Sequence, residues 1–193
     1  MILDSLQVDT IHVTGMVDTW EPAATLTHYL QTNKWQVDTT AVGNLYARQG
    51  DFQIEVLSPP RAETAAREVN CNDNSLVLQI THGDIHLLLA ADILKERQKW
   101  MMEQYGSRLQ SQVLKVPHHG SKAGYSEAFI RTVNPKIAII SIGPNDWGYP
   151  SLETVQKLKD QIPTVLRTDE AGTVVLRSDG REVTIETPEQ VKP

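Results

Sequence analysis

The sequence predicts a mixed α/β fold built as one domain. Segments with the pattern of strands alternate along the chain with segments that have the pattern of helices, which is typical of helices covering a sheet. The run KIAIISIG (136–143) is apolar, as a strand buried on both faces should be. The 193 residues suffice for a hydrophobic core and contain no linker. We therefore expect one domain over 1–186 and a frayed polar tail over 187–193.

Each strand is predicted from apolar residues that lie between turn residues. FQIEVLS is the clearest, because apolar and polar side chains alternate along it. Turns at Gly83-Asp84 and at Asp179-Gly180 each join two such segments into a hairpin. The predicted strands are 8–13, 36–42, 44–49, 52–58, 75–80, 85–92, 112–116, 136–143, 164–168, 173–178 and 181–187.

The helices are predicted between these strands, and two of them have a clear start. Pro22 suits a first helical turn, and the buried face of that helix is predicted at Leu26, Tyr29 and Leu30. Ser126 is the predicted N-cap of the third helix. The predicted helices are 22–33, 93–105, 127–133 and 152–161.

Composition and charge exclude several classes of function. The net charge of −6 argues against a broad basic surface for non-specific nucleic-acid binding, although a local groove is compatible with it. Cys71 is the single cysteine, so a metal site must use histidine and carboxylate ligands. The N-terminal residues show no targeting pattern and the apolar runs are of strand length, so we expect a cytoplasmic chain.

One carboxylate stands at the end of a predicted core strand. The apolar run from Leu87 to Ala91 ends on Asp92. A buried aspartate needs a charged partner, hydrogen bonds or a metal ion, so Asp92 is a candidate ligand. Aspartate is also a favourable helix N-cap, and Asp92 directly precedes the predicted helix 93–105. The local sequence by itself favours the cap.

Two adjacent histidines follow the next core strand. The segment QVLKV leads His118 and His119 into a glycine turn, PHHGS. Neighbouring side chains on irregular backbone point in different directions, so we expect one of the two to serve a given site. The alternative is a surface turn in which both histidines only form hydrogen bonds. Strand ends at one edge of an α/β sheet commonly form sites, and Asp with His suits zinc or manganese.

Four runs of the chain, taken in order, resemble the metallo-β-lactamase domain of ComEC/Rec2-type DNA-uptake (competence) proteins. They are NDNSLVLQITHGDIHLLLAADI, LKVPHHGS, NPKIAIISIGPNDWGYPS and LRTDEAGTVVLRSDG. The landmarks of that family read N-N-S-L-V-L, L-L-T-G-D, H-H-G-S, P-x-x-A-I-I-S-x-G, G-H-P-S and T-D-x-x-G, in the same order and spacing. The resemblance covers 52–180, roughly two-thirds of the chain.

The resemblance implies a four-layer αββα sandwich, as in metallo-β-lactamases, with a two-metal hydrolase site for zinc or manganese. Paired metals in such a site supply a hydroxide that attacks a phosphoester or another ester or amide bond, and the resemblance alone implies a phosphodiester of DNA as the substrate. Asp92 falls on the metal-bridging aspartate and His118 on the next histidine ligand, so both are expected to be catalytic. His119 belongs to the same motif and completes the expected metal ligands.

Three further residues are expected to contact substrate. Ser121 ends the PHHGS motif, and Trp147 and Tyr149 lie in the loop that should overhang the site. Nucleic acid is the partner that the resemblance implies.

Three departures from the family pattern affect the expected activity. None of the six histidines lies in the signature H-x-H-x-D-H, which would precede 8–13, so we expect an N-terminally truncated domain with an incomplete metal site. Tyr149 stands where the family has histidine, and a tyrosine binds metal poorly at neutral pH. Ala91 replaces a glycine that permits close backbone approach, so its methyl group should crowd the metal position.

Two functions remain open from the sequence. The chain is either part of a metal-dependent hydrolase whose missing ligands are supplied elsewhere, or a catalytically inactive, metal-poor descendant that acts as a binding or scaffold domain. Missing early strands would leave an open sheet edge or an apolar face. We therefore also expect a homodimer or a partner that covers this edge.

Overall fold

The computed structural model describes residues 8–14, 21–43, 45–61 and 70–186, and it confirms the predicted mixed α/β class. The predicted tail at 187–193 lies outside these residues. The strands are β1 (Ile11–Val13), β2 (Val37–Thr39), β3 (Leu45–Gln49), β4 (Phe52–Ser58), β5 (Val77–His82), β6 (Ile85–Leu89), β7 (Val113–Lys115), β8 (Ile137–Ile140), β9 (Thr164–Arg167), β10 (Val175–Ser178) and β11 (Val183–Glu186).

The helices lie between the strands, as the sequence predicts. They are α1 (Glu21–Thr32), α2 (Lys95–Tyr105), α3 (Glu127–Val133), α4 (Leu152–Lys159) and the single turn α5 (Thr168–Ala171). Two short 3-10 segments occur at Gly106–Leu109 and Pro117–Gly120. No helix in the described ranges is both long and apolar enough to cross a membrane.

A seven-stranded mixed sheet in the order β3-β4-β5-β6-β7-β8-β9 is the centre of the molecule. Its first four strands are antiparallel, and the strands from β6 to β9 run parallel. The carboxyl ends of four neighbouring strands therefore meet at one edge, where α/β proteins commonly place their sites. β1 pairs with β2 and β10 pairs with β11 in two smaller sheets.

The sheet face beneath α2, α3 and α4 forms the core. Leu88, Leu114 and Ala138 lie side by side in register on this face, and each has an exposed fraction of 0%. Met101 of α2 and Phe129 of α3 belong to the same buried cluster. Burial of such side chains contributes about 1.5–3 kcal/mol each, so this layer fixes the positions of the strand ends.

The opposite face of the sheet is also apolar. Leu87, Val113 and Ile137 form one row across it, and the β10–β11 hairpin lies against part of this face over a cavity of about 260 Å³. The next row contains Leu89 and Ile139 with Lys115 between them. This row lies next to the carboxyl ends of the strands. The ammonium group of Lys115 therefore reaches that edge of the sheet from the apolar face.

Two details differ from the sequence prediction. Leu26 is 43% exposed whereas Leu30 is 2% exposed, because the helix buries its later turn and leaves Leu26, one turn earlier, at the surface. The strand predicted at 136–143 ends at Ile140, since the next backbone groups bond to side chains. The Ile142 amide donates to Thr168 Oγ1 at 2.8 Å. The predicted cap at Ser126 is confirmed, because its hydroxyl accepts from the Phe129 amide.

Candidate functional site

The backbone bends sharply where β6 reaches the carboxyl edge. Ala91 has φ +46°, in the left-handed region that favours glycine. The bend directs its carbonyl toward β7, where it accepts from the His118 amide at 3.1 Å and from Lys115 Nζ at 2.6 Å. Ala91, which was expected to crowd a metal position, therefore occupies a backbone conformation that is strained for a residue with a Cβ.

Asp92 does not cap the following helix, so the cap prediction is wrong. The helix begins at Lys95 with Leu94 as its N-cap, and the intervening residues carry Asp92 away from its first turn. The Leu94 amide instead donates to Asp73 Oδ1 at 2.7 Å, and Arg97 Nε donates to the Asp73 carbonyl at the same distance. Asp92 is thus free of a structural role in α2, and its side chain is 38% exposed at the sheet edge.

The PHHGS turn orients its two histidines differently, as predicted. His118 and His119 both adopt left-handed backbone, with φ of 46° and 54°. His118 Nδ1 lies 2.6 Å from Ser121 Oγ, and its Nε2 lies 3.4 Å from Asn72 Nδ2. His119 Nδ1 lies 2.6 Å from the Ser141 carbonyl, and its Nε2 lies 3.5 Å from Asp92 Oδ1. His119 is therefore the histidine that faces the carboxylate.

The protonation of His119 follows from its neighbours. A carbonyl oxygen accepts hydrogen bonds only, so His119 Nδ1 carries a proton and donates it to Ser141. A neutral His119 then presents the Nε2 lone pair to Asp92 Oδ1, so that two acceptors face each other. The pair is stable with a cation between the two atoms, either a proton or a metal ion. In histidines that bind metals, the ring nitrogen that does not bind the metal commonly donates its proton to a carbonyl or carboxylate oxygen, as Nδ1 does here.

Lys115 brings a positive charge to the same carboxylate. Its Nζ lies 3.4 Å from Asp92 Oδ1, and its side chain is 19% exposed. Burial lowers the pKa of Lys115 below its usual range, and the negative charge of Asp92 opposes this shift. Burial likewise lowers the pKa of His118, again against the effect of Asp92. The site is thus a partly desolvated cluster with one carboxylate and several basic groups.

The residues expected to contact substrate line a groove beside this cluster. The groove has a volume of about 540 Å³, and Ser121, Trp147 and Tyr149 are among its lining residues. The Tyr149 ring lies 5.4 Å from the His118 ring and 6.5 Å from the Trp147 ring, measured between centroids. Trp147 is 77% exposed, and Leu152 at the same groove is 81% exposed.

The loop that carries Trp147 is held in a fixed position. Asn145 Nδ2 donates to the Tyr149 carbonyl at 2.9 Å, and Asn145 Oδ1 accepts from the amides of Trp147 and Tyr149. The Ser151 amide donates to the Gly120 carbonyl at 3.0 Å, which ties the loop to the histidine turn. The groove and the charged cluster are therefore parts of one assembly.

The donors suit one side of a metal site. Asp92 and His119 converge, and an imidazole nitrogen with a carboxylate oxygen is a ligand set that zinc and manganese accept. Within the described ranges no group of three His, Cys, Asp or Glu side chains is placed to hold a metal ion. A catalytic zinc normally has three protein ligands, so Asp92 and His119 alone do not complete such a site.

Sequence reasoning missed three residues of the site. Lys115 looked like the end of an ordinary strand, although a lysine in an alternating apolar pattern on a central strand is a signal in itself. Asp73 and Asn72 lay in a segment interpreted only as a loop. Asp73 accepts from the Leu94 amide, and Asn72 contacts the His118 ring. Both partners are distant in the sequence, so no local pattern identified these residues.

Comparison with known proteins supports the family resemblance. The chain is 38% identical over 132 residues to ComE operon protein 3 of Bacillus subtilis (strain 168). It is 31% identical over 107 residues to competence protein ComA of Neisseria gonorrhoeae, and 31% identical over 124 residues to Recombination protein 2 of Haemophilus influenzae. These similarities relate the chain to ComEC/Rec2-type competence proteins. No protein-family model matches the chain.

The matches cover 68%, 55% and 64% of this chain but 16%, 16% and 15% of the three relatives, in the order given. The chain thus spans about a sixth of the length of the curated relatives it matches.

Proposed function

We propose that the chain supplies one side of a metal-dependent hydrolase site in a competence-related domain, with a phosphodiester of DNA as substrate. The observation that carries this proposal is the 3.5 Å approach of His119 Nε2 to Asp92 Oδ1. The Ser141 carbonyl lies 2.6 Å from His119 Nδ1 and accepts its proton, so the Nε2 lone pair would be available to a metal ion that also binds Asp92. A divalent metal satisfies both acceptors, and the site lies at the strand edge where such centres form.

Asp92 and His119 would hold the metal, with His118 beside them and the remaining ligands outside the described residues. A bound zinc or manganese would polarise the phosphoryl oxygen and lower the pKa of a water molecule. The Ser141 carbonyl orients the His119 ring, and the Ser121 hydroxyl orients the His118 ring. The groove of Ser121, Trp147 and Tyr149 would receive the substrate next to these ligands.

DNA is proposed as the substrate on two grounds, the names of the related proteins and the aromatic side chains of the groove. Two of the related proteins carry the names competence protein ComA and Recombination protein 2. Exposed aromatic rings can stack on nucleobases without a basic surface, and Trp147 is largely exposed beside Tyr149. The net charge of −6 argues against DNA binding through a broad basic surface, which would attract the phosphate backbone.

Metal titration of the chain tests the proposal. We expect calorimetry with Mn²⁺ and with Zn²⁺ to show one weak site, and we expect Asp92→Asn and His119→Ala to abolish it. Asp84→Asn and His86→Ala make the same chemical changes at the opposite end of β6 and should leave binding intact. Thermal unfolding shows whether each variant is folded. Equal, near-zero binding in the wild-type chain and all variants contradicts the metal site.

Lys115 favours a second candidate, a binding or scaffold domain that works without metal. An ammonium 3.4 Å from Asp92 Oδ1 already neutralises part of the carboxylate charge. In that case the protonated His119 and Lys115 together pair with Asp92, and the groove alone binds a partner. Single-stranded DNA binding, followed as the part of the tryptophan fluorescence change that Trp147→Phe removes, should then be unaffected by chelators and by Asp92→Asn.

A further inference from the structure

A cavity of about 260 Å³ lies between the β10–β11 hairpin and the sheet, and we call it the hairpin cavity. Three sheet residues that are register partners in one row and two hairpin residues are among those that line it: Ile80, Leu87, Val113, Leu176 and Val183. Protein interiors are close-packed and contain few gaps larger than a water molecule, so an apolar gap of this size between two layers is unusual. Because Val113 is the first residue of β7, the cavity lies toward the end of the parallel strands opposite to Asp92.

Contacts between two turns fix the distance of the hairpin from the sheet. The Asp84 amide of the β5–β6 turn donates to the Gly180 carbonyl of the β10–β11 turn at 2.7 Å. The two turns approach so closely that a Cβ on Gly83 would overlap the Gly180 carbonyl oxygen. Beside them, His82 Nδ1 lies 3.1 Å from Ser178 Oγ. Since backbone already meets backbone, the hairpin cannot move closer to the sheet at this end, and the cavity is formed without a ligand.

The polar lining of the cavity is the pair of His82 and Ser178, and it retains one position for a hydrogen bond. Ser178 Oγ accepts from the Gly180 amide at 3.1 Å and shares a second hydrogen bond with His82 Nδ1. A serine hydroxyl has one proton and two lone pairs. If the hydroxyl donates to the imidazole, one lone pair remains; if the imidazole donates, the proton remains. A hydroxyl group of a ligand fills either position, because it both donates and accepts.

We propose that the hairpin cavity binds a small phenol, with its ring between the sheet and the hairpin and its hydroxyl group at Ser178. Ser178 is exposed whereas Val113 is 1% exposed, so the cavity leads from a polar entrance to an apolar floor. An apolar cavity of about 150 Å³ holds benzene, so about 260 Å³ accommodates one substituted ring. Apolar walls with a single polar contact are typical of sites for small molecules. This site is independent of the proposed hydrolase site.

Titration with p-cresol, followed by methyl NMR of the whole chain, tests the inference. The methyl resonances of Ile80, Leu87 and Val113 should shift to saturation, with a Kd of about 1 mM for a ligand of this size. The methyl resonances of Leu152, in the groove at the carboxyl ends, should not shift. Toluene has the same ring and methyl group but no hydroxyl group, so it should bind about fivefold more weakly.

Matched variants of the hairpin separate the two parts of the inference. Val183→Phe fills the cavity and should abolish the shifts, whereas Thr184→Phe adds a ring on the opposite face of the same strand and should leave the affinity unchanged. Ser178→Ala should remove the preference for p-cresol over toluene, and Thr184→Ala, which also removes a hydroxyl group, should retain it. Thermal unfolding records whether each variant is folded. If Val183→Phe is not, Leu176→Phe fills the cavity from the neighbouring strand.

Each outcome decides for or against the inference. Saturable shifts that are confined to the cavity and lost in Val183→Phe support it. Absence of shifts up to the solubility limit of p-cresol overturns it, and so do parallel shifts at Leu152, which would show non-specific partition. Equal affinity for p-cresol and toluene overturns the assignment of a phenol. If the cavity methyl resonances instead shift with protein concentration alone, and light scattering shows a dimer, the occupant is a second copy of the chain and the inference is wrong.

Discussion

The two ends of the parallel strands carry grooves of similar size but of different character. The groove at the amino ends has a volume of about 530 Å³ and the groove at the carboxyl ends about 540 Å³. At the amino ends the polar groups are matched: Gln79 Nε2 donates to the Arg108 carbonyl, and Gln112 accepts from the His86 amide and donates to the Asp84 carbonyl. At the carboxyl ends one atom, Asp92 Oδ1, is shared: it lies 3.4 Å from Lys115 Nζ and 3.5 Å from His119 Nε2.

Backbone strain differs between the ends in the same way. Positions with positive φ at the amino ends are Gly83, Gly106 and Asn134, residue types that adopt such conformations at little cost. At the carboxyl ends they include Ala91, His118 and His119, for which it is costly. Groove size therefore does not distinguish the two ends, whereas strained non-glycine residues and a shared carboxylate oxygen are found at the carboxyl end.

The largest expected effect compares a glycine from each end. Gly120→Ala should lower the free energy of unfolding by about 3 kcal/mol, because the new methyl is both left-handed and overpacked. Its Cβ would lie 2.9 Å from Pro150 Cβ, whereas a Cβ at Gly106 meets no atom within 4 Å. Gly106→Ala should therefore cost only about 1 kcal/mol. Urea denaturation measures both, and equal losses would show that Pro150 does not pack against the histidine turn.

A smaller effect of opposite sign tests the strain at the β6 bend. Ala91→Gly should raise the free energy of unfolding by about 1 kcal/mol, because glycine adopts φ +46° without the Cβ clash. Ala90→Gly, at the fully buried neighbour outside the left-handed region, should lower it by about 1 kcal/mol. Chemical denaturation of the two variants gives the signs directly. A loss of stability in both would mean that the bend is unstrained.

The smallest expected effect concerns charge at the carboxyl-end groove. Hydrogen bonds from Lys157 and then from Lys122 lower the pKa of Glu153 from 4.5 to about 2. Because this folded-state pKa is lowered, the associated stabilisation is present above pH 4.5 and is lost as the pH falls through about 2. NMR titration of the Glu153 carboxyl should show the lowered pKa, with Lys157→Met moving it back toward 4.5.

Salt provides the control for that measurement. The three side chains are exposed, so high ionic strength should raise the pKa of Glu153 and weaken its small contribution to stability. Lys159→Met removes an equal charge from the same helix and should shift the pKa less than Lys157→Met does. A pKa near 4.5 at low salt would mean that Lys157 and Lys122 do not pair with Glu153 in solution.

The sequence by itself determined the elements and the edge at which the candidate residues meet. Apolar runs and alternating segments predicted the central strands, the Ser126 cap follows from its local hydrogen bond, and Asp92 and the histidines lie a few residues past the ends of β6 and β7. These features depend on backbone periodicity and on neighbours a few residues away. Periodicity also explains the error at Leu26, because a helical stripe does not show which of its turns reaches the core.

Only the tertiary structure decided which groups face one another at that edge. It turned His119 rather than His118 toward Asp92, placed Lys115 beside the same oxygen, and paired Asp73 with the amide of Leu94, the N-cap residue of α2. These outcomes depend on strand register and on side-chain directions in left-handed turns. Both are set by contacts between residues that are distant in the sequence, and such contacts leave no local pattern.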